Sequence, residues 1–272
     1  MARSFSLAYL TAERLAPAAA IRLAAELGYD NVGLRLLPAA PGGTSFPLHT
    51  DAILLGEALA AQRDTGIGVF DLEIIRIGAA FRAGDHLPFF EAGRRLGARA
   101  ILVAGDDPDT GRLTASFAAL CEAAAPYGLT CDLEFMPWTA VKNCAAAMRV
   151  LDGAAQPNAR ILVDALHFAR SATTLAEIAA IPRAQLGYAQ ICDAPAEIPA
   201  TDEGLIHTAR AERMLPGEGG IDLAGLFAAL PADLPVSIEI PSASRVPVLG
   251  EREWARQALA ATRRVLAAIP HR

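Results

Sequence analysis

Apolar residues in this chain fall into short runs, each followed by a longer stretch with the period of a helix. Phe5 to Leu10 predicts a first strand. Pro17 then opens a helix that Gly28 closes, and Asn31-Val-Gly-Leu-Arg35-Leu forms a second strand. The cadence of helix, glycine and strand returns at Arg95-Leu-Gly97-Ala-Arg-Ala-Ile-Leu-Val103 and at Tyr127-Gly128-Leu-Thr-Cys-Asp-Leu-Glu134. Such a repeated joint marks alternating βα units and therefore a parallel sheet. A third strand is expected over Ile67–Ile74, with Arg76 opening the loop beyond it, and a fourth over Ala100–Ala104. Helices are expected near Thr50–Asp64, Leu113–Ala125, Val141–Leu151, Leu175–Ala180, Asp222–Leu230 and Glu251–Ala268. Asp85 is the expected cap of the helix that ends at Gly97. The irregular stretch from Pro38 to Pro47 follows the second strand and would hang over the strand ends.

The last four apolar runs share a chemical feature. Each finishes in an oxygen-bearing side chain: Glu134, Asp164, Gln190 and Glu239, at gaps of 30, 26 and 49 residues. The first two gaps are about one βα unit, and the third is the same unit with a long insertion. Eight strands and about eight helices in 272 residues, with no composition break, predict one α/β domain over residues 1–272, a single (β/α)₈ TIM barrel. Closure brings the tips of strands five to eight to one rim. If those four side chains face inward, so do Asp132, Leu162, Tyr188 and Ser237, two residues earlier on each strand. Asp132 and Ser237 would then need partners, which the layer above could supply. Glu, Asp, Gln and Glu are hard oxygen donors suited to one divalent ion, Mn²⁺ or Mg²⁺ first, with Zn²⁺ or Co²⁺ tolerated.

Composition narrows the choice of partner. With 53% hydrophobic residues the chain can fill a large core, and its net charge of −6 with a single lysine, Lys142, argues against nucleic acid. No apolar stretch reaches membrane-spanning length, and Glu13 and Arg14 interrupt the apolar N-terminus, so a soluble, cytoplasmic protein is expected. Cys121, Cys131, Cys144 and Cys192 lack paired spacing and are expected to be buried reduced thiols. The sequence leaves the oligomeric state open and is compatible with a homo-oligomer.

The segments Leu-Glu134-Phe-Met-Pro-Trp138, Asp164-Ala-Leu-His167, Gln190-Ile-Cys-Asp193, Leu215-Pro-Gly-Glu-Gly-Gly-Ile-Asp222 and Ile-Glu239-Ile resemble the xylose isomerase-like TIM barrels of the sugar phosphate isomerase/epimerase group, in the AP endonuclease family 2 superfamily. The resemblance spans nearly the whole chain. It implies a metal held by Glu134, Asp164, Gln190 and Glu239, although many relatives carry His where Gln190 stands. It also implies an isomerase or epimerase of a keto-sugar, inosose or similar polyhydroxy carbonyl substrate, with Glu134 and Glu239 moving the proton through a metal-stabilised enediolate. The alternative is a dehydratase resembling 3-dehydroshikimate dehydratase, which shares the first proton abstraction. A DNA-repair nuclease of the superfamily would need extra histidines where this chain has Val-Phe-Asp-Leu-Glu and Leu-Val-Ala-Gly-Asp.

Beyond those acids, His167 is a candidate proton relay or substrate contact. Arg76, Arg210 and Arg213 are candidate clamps for an anionic substrate such as a hydroxy acid. Structural pairing with Glu73, Glu212 or Glu218 is the competing role. Trp138 and Phe135 flank Glu134 as candidates for an apolar wall or for core packing.

Overall fold

In the computed structural model, residues 3–269 are described. Strands β1 (Phe5–Leu7), β2 (Asn31–Arg35), β3 (Gly68–Ile77), β4 (Ala100–Gly105), β5 (Thr130–Glu134), β6 (Ala159–Asp164), β7 (Leu186–Ile191) and β8 (Val236–Ile238) pair in sequence order. All pairings are parallel, and β1 pairs β8 to close the barrel. Around it run α1 (Pro17–Leu27), α2 (Ala52–Thr65), α3 (Leu87–Leu96), α4 (Thr110–Ala124), α5 (Cys144–Ala154), α6 (Ala165–Arg170), α7 (Leu175–Ala179), α8 (Asp202–Ala211), α9 (Leu223–Ala229), α10 (Val246–Leu249) and α11 (Glu251–Ala267). Among the described residues no helix is long and apolar enough to cross a membrane. All four cysteines are buried and unbridged.

Several boundaries depart from the sequence expectation. β1 stops at Leu7, and Tyr9–Ala12 turn into a 3₁₀ helix instead of continuing the strand. β3 runs on to Ile77, so Arg76 lies within a strand rather than opening a loop. Asp85 caps nothing: it sits in a 3₁₀ turn, and His86 precedes α3 without a side-chain cap. The long segment before Glu239 contains α8, whose start carries Thr201 as cap with Asp202 and Glu203 in the first turn.

Outward-facing strand residues such as Val69, Leu72, Val103, Leu133 and Ile161 join the helices in one core. Inside the barrel, Phe70, Ile74, Ala100, Leu102, Ala104, Met136, Leu162 and Tyr188 form a second cluster, and Tyr188 meets Phe70 edge to face. Asp132 and Ser237 are buried, as strand alternation requires. The partner of Asp132, however, is Thr130 Oγ1 at 2.5 Å, below it and not in the ligand layer, while Ser237 Oγ has none among the described residues. Asp132 occupies the space above Gly187, where a Cβ would lie 1.5 Å from its Oδ1, so β7 must carry glycine there.

Asp71 is fully buried, and neither carboxylate oxygen has a hydrogen-bond partner among the described residues. Burial, reinforced by Glu73, Glu239 and Asp132, pushes its pKa well above the usual carboxylate range. A carboxyl raised in the folded state binds its proton more tightly folded than unfolded. Its contribution to stability is therefore intact below the unfolded pKa of about 3.9 and is lost as pH rises above it. Asp71→Asn keeps the shape without the charge, so its Tm relative to the wild type should climb as pH is raised from about 4 into the neutral range. Melting curves across that range check this, and a pH-independent difference would contradict it.

Candidate metal and substrate site

The rim of the barrel gathers the residues at the strand ends. Glu134 closes β5, Asp164 closes β6, Gln190 lies near the end of β7, and Glu239 follows β8 directly. All four are nearly or fully buried. Asp164 has a second local task, because its Oδ1 accepts the His167 backbone N–H at 2.9 Å and so caps α6. That turn directs the imidazole inward. His167 is 2% exposed rather than on a surface loop, with Nε2 3.5 Å from Glu134 Oε1 and its ring edge-on to Trp138 at 5.0 Å. Ligand atoms of Glu134, Asp164 and His167 all lie within 4.8 Å of one another.

Electrostatics tie the acids together. Burial and the neighbouring charges of Asp164 and Glu239 push Glu134 well above the usual carboxylate range. Burial, opposed by Arg213, raises Glu239 to about 8. Burial would push Asp164 up as well, but the Arg213 guanidinium and the His167 N–H hold it below its ordinary value. Burial lowers His167 to about 4, so its imidazole is neutral at physiological pH. Three buried carboxylates in one layer call for cations.

Arg213 supplies one. Its Nη1 donates to Asp164 Oδ2 at 2.6 Å and its Nη2 pairs with Glu239 Oε2 at 2.8 Å, while Nε donates to the Ala209 carbonyl. Once an ion displaces the protons that burial favours on Glu134 and Glu239, the three carboxylates and one guanidinium would carry a net charge of −2, the complement of one divalent ion. Gln190 Nε2 donates to Glu239 Oε1 at 3.1 Å, and Gln190 Oε1 is buried with no partner among the described residues. An orphaned amide oxygen beside three carboxylates and a neutral imidazole fits a divalent cation, with His167 making the set less exclusively oxygen-based than the four strand-end residues alone.

Above this layer lies an open pocket lined among others by Glu134, Glu239, His167, Trp138, Arg35, Arg76, Arg210 and Arg213. Trp138 thus reaches the pocket, whereas Phe135 is fully buried in the outer core. The arginines do not pair as the sequence reading allowed. Arg76 takes Asp106, at 2.6 and 2.7 Å; Glu73 takes Arg35; Glu218 takes Arg245. Arg210 sits near the end of α8 rather than in a loop, and no hydrogen bond or ion pair engages it among the described residues. Arg35, which the sequence reading passed over, ends β2 at the rim and stacks 4.5 Å over Tyr9. Its position at a strand end was the available signal.

The loop that follows α8 is fixed by Asp193. This buried carboxylate accepts the backbone N–H groups of Ala194, Gly217, Gly219 and Ile221 at 2.9 to 3.1 Å, which pins the Leu215–Ile221 turn beside Arg213. A Cβ on Gly219 would lie 2.2 Å from the Ala194 carbonyl, so the Gly-Glu-Gly-Gly run permits the close approach.

Solved structures share this architecture. A fusion of a xylose isomerase-like TIM barrel with a 4-hydroxyphenylpyruvate dioxygenase superposes with a TM-score of 0.77 at 22% identity, over 96% of this chain but only 42% of that one. The IOLI protein, solved with a zinc atom, gives 0.77 at 18% identity over 99% of this chain and all of that one. D-allulose 3-epimerase from Methylomonas sp., in complex with D-allulose, gives 0.72 at 17% identity over 97% of both chains. At these identities the likeness is one of fold, and no curated protein matches the chain by sequence. The family model for xylose isomerase-like TIM barrels, by contrast, matches residues 21–265, and on that match the chain belongs to the xylose isomerase-like TIM barrel family.

Proposed function

We propose that the protein is a divalent-metal-dependent isomerase or epimerase of a polyhydroxy carbonyl compound. The observation that carries this reading is the convergence of Glu134, Asp164, His167, Glu239 and the orphaned Gln190 oxygen beneath one pocket. Support also comes from the epimerase and the zinc-holding protein among the structural neighbours. Glu134, Asp164, Gln190 and Glu239 would hold the ion, with His167 within reach of the same sphere. Mn²⁺ and Mg²⁺ suit the oxygens best, and Zn²⁺ or Co²⁺ becomes competitive once the imidazole joins. Bound there, the ion would supply Lewis acidity to a substrate carbonyl and the adjacent oxygen.

The chain's own groups do the remainder. Glu134 and Glu239 approach from separate walls of the barrel, β5 and β8, so one, as carboxylate, takes up the proton beside the carbonyl while the other, protonated, gives its own proton to the opposite face. Gln190 and Arg213 fix the Glu239 carboxylate through both its oxygens. Neutral His167 offers a hydrogen bond to a substrate oxygen, and Trp138 gives the ring or chain an apolar wall. A dehydratase is the second reading, favoured by the free guanidinium of Arg210: the same proton leaves, and a β-hydroxyl then departs as water. Both readings share the first step. Metal-loaded protein incubated in D₂O with ketoses, inososes and cyclic hydroxy-keto acids should exchange the C–H beside the carbonyl of at least one compound, as read by ¹H NMR. Metal uptake without exchange on any of them would overturn the reading.

A further inference from the structure

One wall of the pocket carries three arginines, and their charges are not equally compensated. Arg35 is neutralised by Glu73, its Nη2 lying 2.6 Å from Oε2, and Arg76 by Asp106 through two contacts. Arg213 is taken up by Asp164 and Glu239. Arg210 alone of the four pocket arginines has no hydrogen bond or ion pair among the described residues, although its side chain is half buried and lines the cavity. Burial first, then the like charges of Arg76 and Arg35, depress its pKa, opposed only in part by Asp106, whose carboxylate Arg76 already takes. A half-buried guanidinium near two others, with no direct acid partner among the described residues, is poised for an anion brought from outside.

We propose that Arg210 forms a carboxylate subsite at the end of the pocket away from the acid layer, so that the substrate is a polyhydroxy carboxylate and not a neutral sugar. This rests on the proposed function in placing the reacting carbonyl at the other end, against Glu134 and Glu239. One uncompensated cation matches one negative charge, which favours a carboxylate over a doubly charged phosphate. The other two arginines of that wall, Arg35 and Arg76, are already taken by Glu73 and Asp106, which leaves Arg210 as the cation open to the substrate.

The probes are gluconate, glucitol and inorganic phosphate. Gluconate and glucitol differ in one terminal carbon, carboxylate against hydroxymethyl. Calorimetric titration of metal-loaded protein at low ionic strength should show gluconate binding about ten- to a hundredfold more tightly than glucitol. Arg210→Gln should erase that preference, Arg210→Lys should restore part of it, and metal content should be the same in all three proteins. The subsite is overturned if gluconate has no advantage, or if the advantage survives Arg210→Gln, which would assign it to chelation by the ion. Phosphate binding more tightly than gluconate through Arg210 would overturn the carboxylate assignment. Metal content separates this proposal from the proposed function: an Arg210-dependent preference in protein that takes up no metal keeps the subsite and removes the isomerase reading. Stoichiometric metal without the preference does the reverse.

Discussion

Arg213→Met should lower the stability of the metal-free protein by about 3–5 kcal/mol, because it leaves two buried carboxylates facing each other without their cation. Asp164 and Glu239 are both nearly or fully buried, and the Arg213 guanidinium is the group that touches both. Methionine keeps the unbranched stem, so most of the loss reports the charge and not a cavity. For a domain of this size the fall in Tm is roughly 6–20 °C. Adding Mn²⁺ should recover more of the Tm in the variant than in the wild type, since an ion in the acid layer replaces part of the missing positive charge. Differential scanning calorimetry with and without the ion measures both effects. An unchanged metal-free Tm would mean that Arg213 does not stabilise the buried Asp164 and Glu239 carboxyl groups.

Glu239→Gln should slow proton exchange on the substrate by about a thousandfold or more. Loss of a positioned acid or base accounts for roughly 10²–10⁴ in rate, and loss of an anionic ligand weakens the ion as well. The amide is close to isosteric and Gln190 still has a partner of similar shape, so the fold should survive. A near-normal exchange rate would remove Glu239 from both roles.

The barrel was legible in the sequence because its signals are local and repeated. Pro17 and Gly28 bracket a helix, Gly97 and Gly128 end others, and a strand begins within three residues of each closing glycine. The four strand-end donors were legible for the same reason, since strand alternation fixes which residue faces inward once the strand is placed. What the sequence hid depends on distant partners. Nothing near Arg213 reveals that it reaches Asp164, 49 residues earlier, rather than an open pocket. Likewise, the freedom of Arg210 follows only from Arg76 having found Asp106 and Arg35 having found Glu73. The turn that buries His167 was present in the sequence as Asp164 three residues before it, but a cap and a metal ligand look alike until the imidazole is seen beside Glu134.

Glu134, Asp164, Gln190 and Glu239, if they form one coordination sphere, should hold one ion between them. Purified protein, stripped with chelator and reloaded with Mn²⁺ in one sample and Zn²⁺ in another, can be dialysed and analysed for metal per chain alongside Asp164→Ala. About one ion per chain is expected in the wild type and a large loss in the variant, because Asp164, which caps the turn that presents His167, would also be a ligand. No retained ion, two or three tightly held zinc ions per chain, or full occupancy in Asp164→Ala would contradict it.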